Sequence, residues 1–242
     1  MTISDLNSEI RDLCDASSTS YTDAQLLRRV NNSLETCIAK IINADGTWQF
    51  DDTNYTDLPE GLGNLVSGQI SYSFASEYLD ILEIMILTTG SIYQRITPFD
   101  ADEVGMSFEE YFNITFNGTS YTAPDGFPYY YDKVGDTIRL SHSPTSANTT
   151  LTKGIKVRFK RTADLFTSAQ VTTGTKVPGI ASPYHQLLAY MSAIPYCMSY
   201  KKDRIAPYEK KVDEMTRDML KYYSKREKDK RNIMTPKRIL YI

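Results

Sequence analysis

Apolar residues recur at helical spacing at both ends of this chain and at strand spacing between them. Leu6, Ile10 and Leu13 predict a first helix with Ser4 as its cap, and Ala16 to Ser20 form a small polar break. The second start is better marked. Thr22-Asp23-Ala24-Gln25 has capping-box spacing, and Tyr21 and Leu26 are placed to form a hydrophobic staple across it. Leu26, Leu27, Val30, Leu34, Ile38, Ile41 and Ile42 continue as one stripe, which Asp45-Gly46 should stop. Each of these helices is apolar on one side and must pack on something.

From Thr47 to about Ser182 the chain turns rich in Thr, Tyr, Ile, Val and Gly. Strands are expected at Leu65–Phe74, Leu79–Thr88, Ile92–Pro98, Pro128–Lys133, Thr137–Ser141 and Leu151–Arg161. The clean alternation of Thr137–Leu140 and Lys156–Lys160 predicts half-exposed antiparallel strands, and Val134-Gly135-Asp136 predicts a tight turn. Asp100–Phe112 has helical spacing, with Asp100 or Ser107 as cap, and Asn117–Asp125 reads as a loop.

Helical spacing returns at Ser182-Pro183 with Tyr184, Leu187, Leu188, Met191 and Ile194. Pro195 should kink this helix, and Pro207 should kink it again or open another. Ile205, Tyr208, Val212, Met215, Met219 and Tyr222 then step by three and four, a heptad seam with charges between. The expected fold class is α+β. A helical bundle forms from residues 1–46 and 182–231, an antiparallel β-rich domain is inserted at 47–181, and a long C-terminal docking helix leads into an extended tail at 232–242.

Charge sharpens the reading of that tail. Residues 201–242 hold 14 Lys+Arg against 7 Asp+Glu, a net of +7, which leaves 13 against 23, a net of −10, on the first 200. A basic end on an acidic body points to a partner that is nucleic acid, an anionic membrane or an acidic protein surface. Lys225–Arg231 mixes signs as a solvated helix face does, but Ile233, Met234, Ile239, Leu240, Tyr241 and Ile242 come after it. Burying such side chains is worth roughly 1.5–3 kcal/mol each, so the terminus should dock on its own body or on a partner.

The remaining composition excludes more than it suggests. No apolar run reaches the roughly 20 residues of a membrane span, and Met1–Asp5 lacks the basic and apolar parts of a signal peptide, so a cytosolic origin without membrane association is expected. Cys14, Cys37 and Cys197 are odd in number and widely spaced, which favours buried reduced thiols over a disulfide or a metal site. No phosphate-binding loop, dinucleotide fingerprint, nucleophile elbow or zinc spacing is present. His142 and His185 sit in no motif. Asp51-Asp52, with Asp57 and Glu60, could attract a cation, yet nothing makes these carboxylates converge as a metal-dependent nuclease requires. The chain reads as no enzyme and implies no cofactor.

An ordered series of short motifs runs across nearly the whole chain. It begins with Tyr21-Thr22-Asp23-Ala24, Leu26–Asn31, Ile42–Phe50, Gly68–Tyr72 and Pro98-Phe99-Asp100. It continues with Gly126–Tyr131, Gly135–Leu140, Ser143-Pro144, Arg158–Arg161, Phe166-Thr167, Pro178-Gly179-Ile180 and the Tyr184-His185 helix start. In order and spacing the series resembles the head-to-tail adaptor (connector) family of tailed phages, including the tail tubular A-type gatekeepers of short-tailed phages.

The resemblance implies a structural virion protein made in the host cytoplasm. It would form a ring, usually of twelve copies, beneath the portal ring and above tail or nozzle proteins, with DNA passing through its channel without specific binding. It carries over no catalytic or metal-binding residue. Its docking interface would be the C-terminal arm, with Tyr222, Tyr223, Ile233, Ile239, Leu240, Tyr241 and Ile242 supplying burial and Arg226, Arg231, Lys237 and Arg238 pairing with acidic groups. On this reading the last forty or so residues gain their stability on a neighbour's surface. The acidic body would repel phosphates if it lines the channel. A nucleic-acid-binding protein using the basic tail, or another neck or stopper protein, are the alternatives.

Overall fold

The computed structural model describes residues 1–44, 50–74, 78–118 and 120–224. In chain order the elements are α1 (Ile3–Cys14), α2 (Asp23–Ile42), β1 (Glu60–Gly63), β2 (Ser71–Ser73), β3 (Tyr78–Leu87) and β4 (Tyr93–Pro98). Two short helices come next, α3 (Ala101–Val104) and α4 (Phe108–Tyr111), then β5 (Thr115–Phe116), β6 (Tyr121–Thr122), β7 (Tyr130–Val134), β8 (Thr137–Leu140) and β9 (Ile155–Arg161). The described chain closes with α5 (Ser168–Thr173), α6 (His185–Tyr200) and α7 (Ile205–Ser224), the last two each entered through a 3-10 turn. The protein is thus mixed α and β. It divides into two compact units, Met1–Asn54 with Ala163–Ile242, and Tyr55–Thr162.

In the helical unit, local chemistry sets the helix ends. Thr22 and Gln25 form the expected capping box on α2. On α1 the cap is Thr2 and not Ser4: Thr2 Oγ1 accepts from the Asp5 N–H while the Asp5 carboxylate accepts from the Thr2 N–H. Asp15 ends α1 in the left-handed conformation at φ 52°. The Asp45-Gly46 stop lies outside the described residues.

Helix α6 packs against α1, α2 and α7. That central position explains its burial on more than one side, through Leu187, Leu188, Ala189, Ser192, Ala193 and Cys197. The expected single stripe is too narrow for it. Pro195 costs α6 one backbone bond but does not end it, and the helix runs on to Tyr200.

The β unit carries a seven-stranded sheet in the order β1-β9-β3-β4-β7-β8-β2. Every neighbouring pair is antiparallel except β4–β7, which is parallel, so the expected all-antiparallel sheet is corrected at one step. Ile84, Ile86, Ile96, Ile138, Leu140, Ile155 and Val157 form its buried side. The tight turn is present: Val134 pairs with Thr137, and Gly135 takes φ 64°, the left-handed region a two-residue hairpin demands.

Other expectations are revised. Leu65–Phe74 contributes only the three-residue β2, because Leu65 and Gln69 give their N–H groups to Leu151 and Val66 in a turn. Asp100–Phe112 is two short helices, since Gly105 ends α3 at φ 72° and Ser107 starts α4 with its own capping box to Glu110. The segment after Thr162 joins the helical unit. Ala163, Phe166 and Ile180 are buried in its core, and the Asn31 side chain pairs with both the N–H and the C=O of Phe166.

Candidate functional site

The sequence puts the docking interface on α7 and the residues beyond it, so the site begins with how α7 is held. Ile205, Tyr208, Val212 and Met215 pack half-buried against the helical core, and Met219 is fully buried. Arg204 and the Tyr208 hydroxyl both donate to the Leu13 carbonyl, at 2.7 and 2.9 Å, satisfying an acceptor at the end of α1. Helix α7 is therefore part of its own chain's core. The expectation that the last forty residues are stabilised by a neighbour is corrected for Ile205–Ser224; their seam is apolar because it packs into the helical core of the same chain.

The two tyrosines at the end of α7 separate. Tyr223 is 5% exposed and points inward. Its hydroxyl accepts the Ala181 N–H at 2.9 Å, and its ring meets Phe50 edge-on at 5.2 Å. Tyr222 is 42% exposed and lies beside Tyr184 at 5.6 Å, whose own hydroxyl donates to the Asp218 carbonyl at 3.3 Å. From Met219, a step of four leads to Tyr223 and a step of three to Tyr222. The core takes the first and leaves the second at the surface. Arg226, Arg231, Ile233, Lys237, Arg238, Ile239, Leu240, Tyr241 and Ile242 lie outside the described residues.

Charge can be apportioned along the same stretch. Helix α7 holds 4 Lys+Arg and 4 Asp+Glu, whereas 225–242 hold 7 and 2, a net of +5. Of the net +7 on 201–242, +2 thus precedes the packed helix, at Lys201–Arg204, and +5 follows it. Beside that end, α2 and α7 border an open, largely apolar groove of about 570 Å³, lined by Thr36, Ala39, Asn43, Ala44, Leu220 and Ser224.

The titratable candidates have structural partners. His185 is buried; its Nε2 lies 2.9 Å from the Ile180 carbonyl and its Nδ1 3.1 Å from the Met1 nitrogen. A carbonyl only accepts, so Nε2 carries the proton and Nδ1 receives one from Met1. Burial pushes the His185 pKa down and holds the ring neutral. His142 has its Nδ1 3.1 Å from the Ser141 hydroxyl and its ring edge-on to Phe112, a Cβ added at Gly126 would clash with that ring, and burial lowers its pKa too.

Asp52 is 3% exposed. Its two oxygens accept the N–H groups of Asn54 and Asp164, at 2.9 and 3.2 Å, while burial raises its pKa against those bonds. It ties together the two stretches of chain that leave the helical unit. The sequence suggests a cation-attracting loop residue at this position, because the partner amide at Asp164 is far away in the chain. Among the described residues, no group of three or more His, Cys, Asp or Glu could hold a metal ion. Cys14, Cys37 and Cys197 are buried free thiols, and burial raises the first two to about 12.

Among the described residues, no helix is long and apolar enough to cross a membrane. No protein-family model matches this chain, and no curated protein matches it.

Proposed function

We propose that this chain is a head-to-tail adaptor of a tailed-phage virion, a ring subunit that docks on the portal, carries the tail components and leaves a central channel for DNA. The supporting observation is the division of labour at the C-terminus. A charge-balanced helix is locked into a unit made from both chain ends, and a segment of net +5 with a closing Ile-Leu-Tyr-Ile continues directly from it.

In this reading α1, α2, α6 and α7 form the bundle that supports the arm, and the β unit faces tail components. Tyr222 and the residues after Ser224 dock on the portal; Tyr223 holds the arm's base in place. One arm in one portal groove binds weakly. Arms linked in a ring bind with multiplied strength, because each later contact is intramolecular. An arm that orders on docking would couple ring formation to the portal.

The test is particle mass of the purified chain with and without purified portal ring. The expected result is a ring that appears with the portal and is lost when 232–242 are deleted. Undiminished portal binding by the deleted form overturns the proposal. Binding to DNA that the same deletion abolishes, with no portal binding by the full chain, would favour the nucleic-acid reading of the tail.

A further inference from the structure

In the helical unit, α2 and the end of α6 border a polar pocket of about 180 Å³ whose walls include Arg28, Arg29, Gln25, Tyr196, Ser199 and Tyr200. Neither guanidinium has a hydrogen-bond or ion-pair partner among the described residues. Arg11, by contrast, is paired with Asp23, and Arg204 with the Leu13 carbonyl. Arg28 and Arg29 follow one another on α2 and both line the pocket, so an anion seated there lies in the field of two positive charges that the described residues leave without a counter-ion.

The aromatic side of the pocket is ordered. Tyr21 is fixed by its hydroxyl to the Ser192 carbonyl at 2.9 Å and stacks on Tyr196 at 4.8 Å and 22°. Tyr196 in turn lies 4.7 Å from Tyr200. The ladder of three rings ends on Tyr200, which is 70% exposed. Gln25 commits its carbonyl oxygen to the α2 cap, which leaves its amide N–H groups to donate elsewhere.

We infer that this pocket binds a nucleic-acid strand, with a backbone phosphate between Arg28 and Arg29 and a base on the open face of Tyr200. The pocket is polar and open to solvent on one side, so a phosphate can seat against its basic wall while the attached base reaches the exposed end of the ring ladder. Aromatic platforms beside basic grooves bind single strands without reading their sequence. An acidic peptide would satisfy the arginines but would make no use of the exposed ring.

The experiment is fluorescence anisotropy of a labelled oligothymidylate with the full-length chain. Replacing all seven Lys and Arg of 225–242 by Gln gives a background from which the basic tail's positive charge is removed. Binding is expected to weaken with salt. Arg28→Ala with Arg29→Ala should reduce affinity at least about tenfold and flatten the salt dependence by about 1 log unit per log unit of salt. Tyr200→Ala should cost about tenfold and Tyr200→Phe little. Circular dichroism checks that each variant is folded. Oligothymidylate binding that ignores the double arginine change overturns the inference. So does polyglutamate binding as tightly as the oligonucleotide with Tyr200→Ala indifferent, which would make the pocket a peptide site. Equal competition by inorganic phosphate, at matched phosphate concentration, also overturns it. Portal binding is read separately, so the outcome here stands apart from the adaptor proposal.

Discussion

At the scale of single residues, the structure turns on close contacts that no spacing rule marks. Gly179 lies against the Asp52 carboxylate so tightly that a Cβ there would fall within its van der Waals radius. Gly179→Ala should therefore displace Asp52 from the amides of Asn54 and Asp164 and lower stability by about 2–4 kcal/mol, read from the urea midpoint. His185 makes a prediction in pH. Its folded pKa lies below the ordinary 6.5, so the unfolded chain binds the extra proton first as pH falls. Its contribution is complete above about 6.5 and is lost progressively below it, down to the lowered folded value. The thermal midpoint should drop between pH 7.5 and 5.5, and His185→Gln should flatten that part of the curve.

At the scale of elements, helix ends are legible where the signal is local. The Thr22–Gln25 box needs only four consecutive residues, and the structure contains it. Ser4 satisfies a rule that weighs the cap residue alone; Asp5, which completes the box with Thr2, decides otherwise. The end of α7 is half legible. A heptad seam predicts that something covers the apolar face, and cannot say whether the cover is the same chain. Tyr223 makes this measurable. Tyr223→Phe should cost about 1 kcal/mol by leaving the Ala181 N–H without its acceptor and should speed hydrogen exchange at that amide. Tyr223→Ala should cost about 3–5 kcal/mol, while Tyr222→Ala, at a surface position, should stay within about 1 kcal/mol.

At the scale of the whole molecule, the helical core contains, among the described residues, none from Tyr55–Thr162. The Asp52–Asp164 bond holds the two exits from the helical unit within hydrogen-bond distance. Replacing 55–162 by a short Gly-Ser linker should thus leave a helical protein that unfolds in one cooperative transition, monitored by circular dichroism at 222 nm. A product without cooperative unfolding would mean that the helical core depends on the β unit. The sequence places the insert at 47–181, and the structure narrows it to Tyr55–Thr162. The flanking residues contain polar and small side chains typical of loops. Their membership of the helical unit comes from distant contacts, Asn31 with Phe166 and Ile3 with Lys176.

The sequence by itself determined the features that repeat at short range: helix at both ends, strands between, the α2 cap, the Gly135 hairpin and a basic apolar end. Periodicity, capping and turn geometry each depend on residues a few positions apart, so they can be read in order. Only the tertiary structure decided that α6 is the central helix, that β4 and β7 run parallel, that Asp52 bridges two chain exits, and that Tyr223 and not Tyr222 enters the core. Each of these depends on partners brought close by folding, and a buried polar group or an apolar face specifies that it needs a partner without specifying which one.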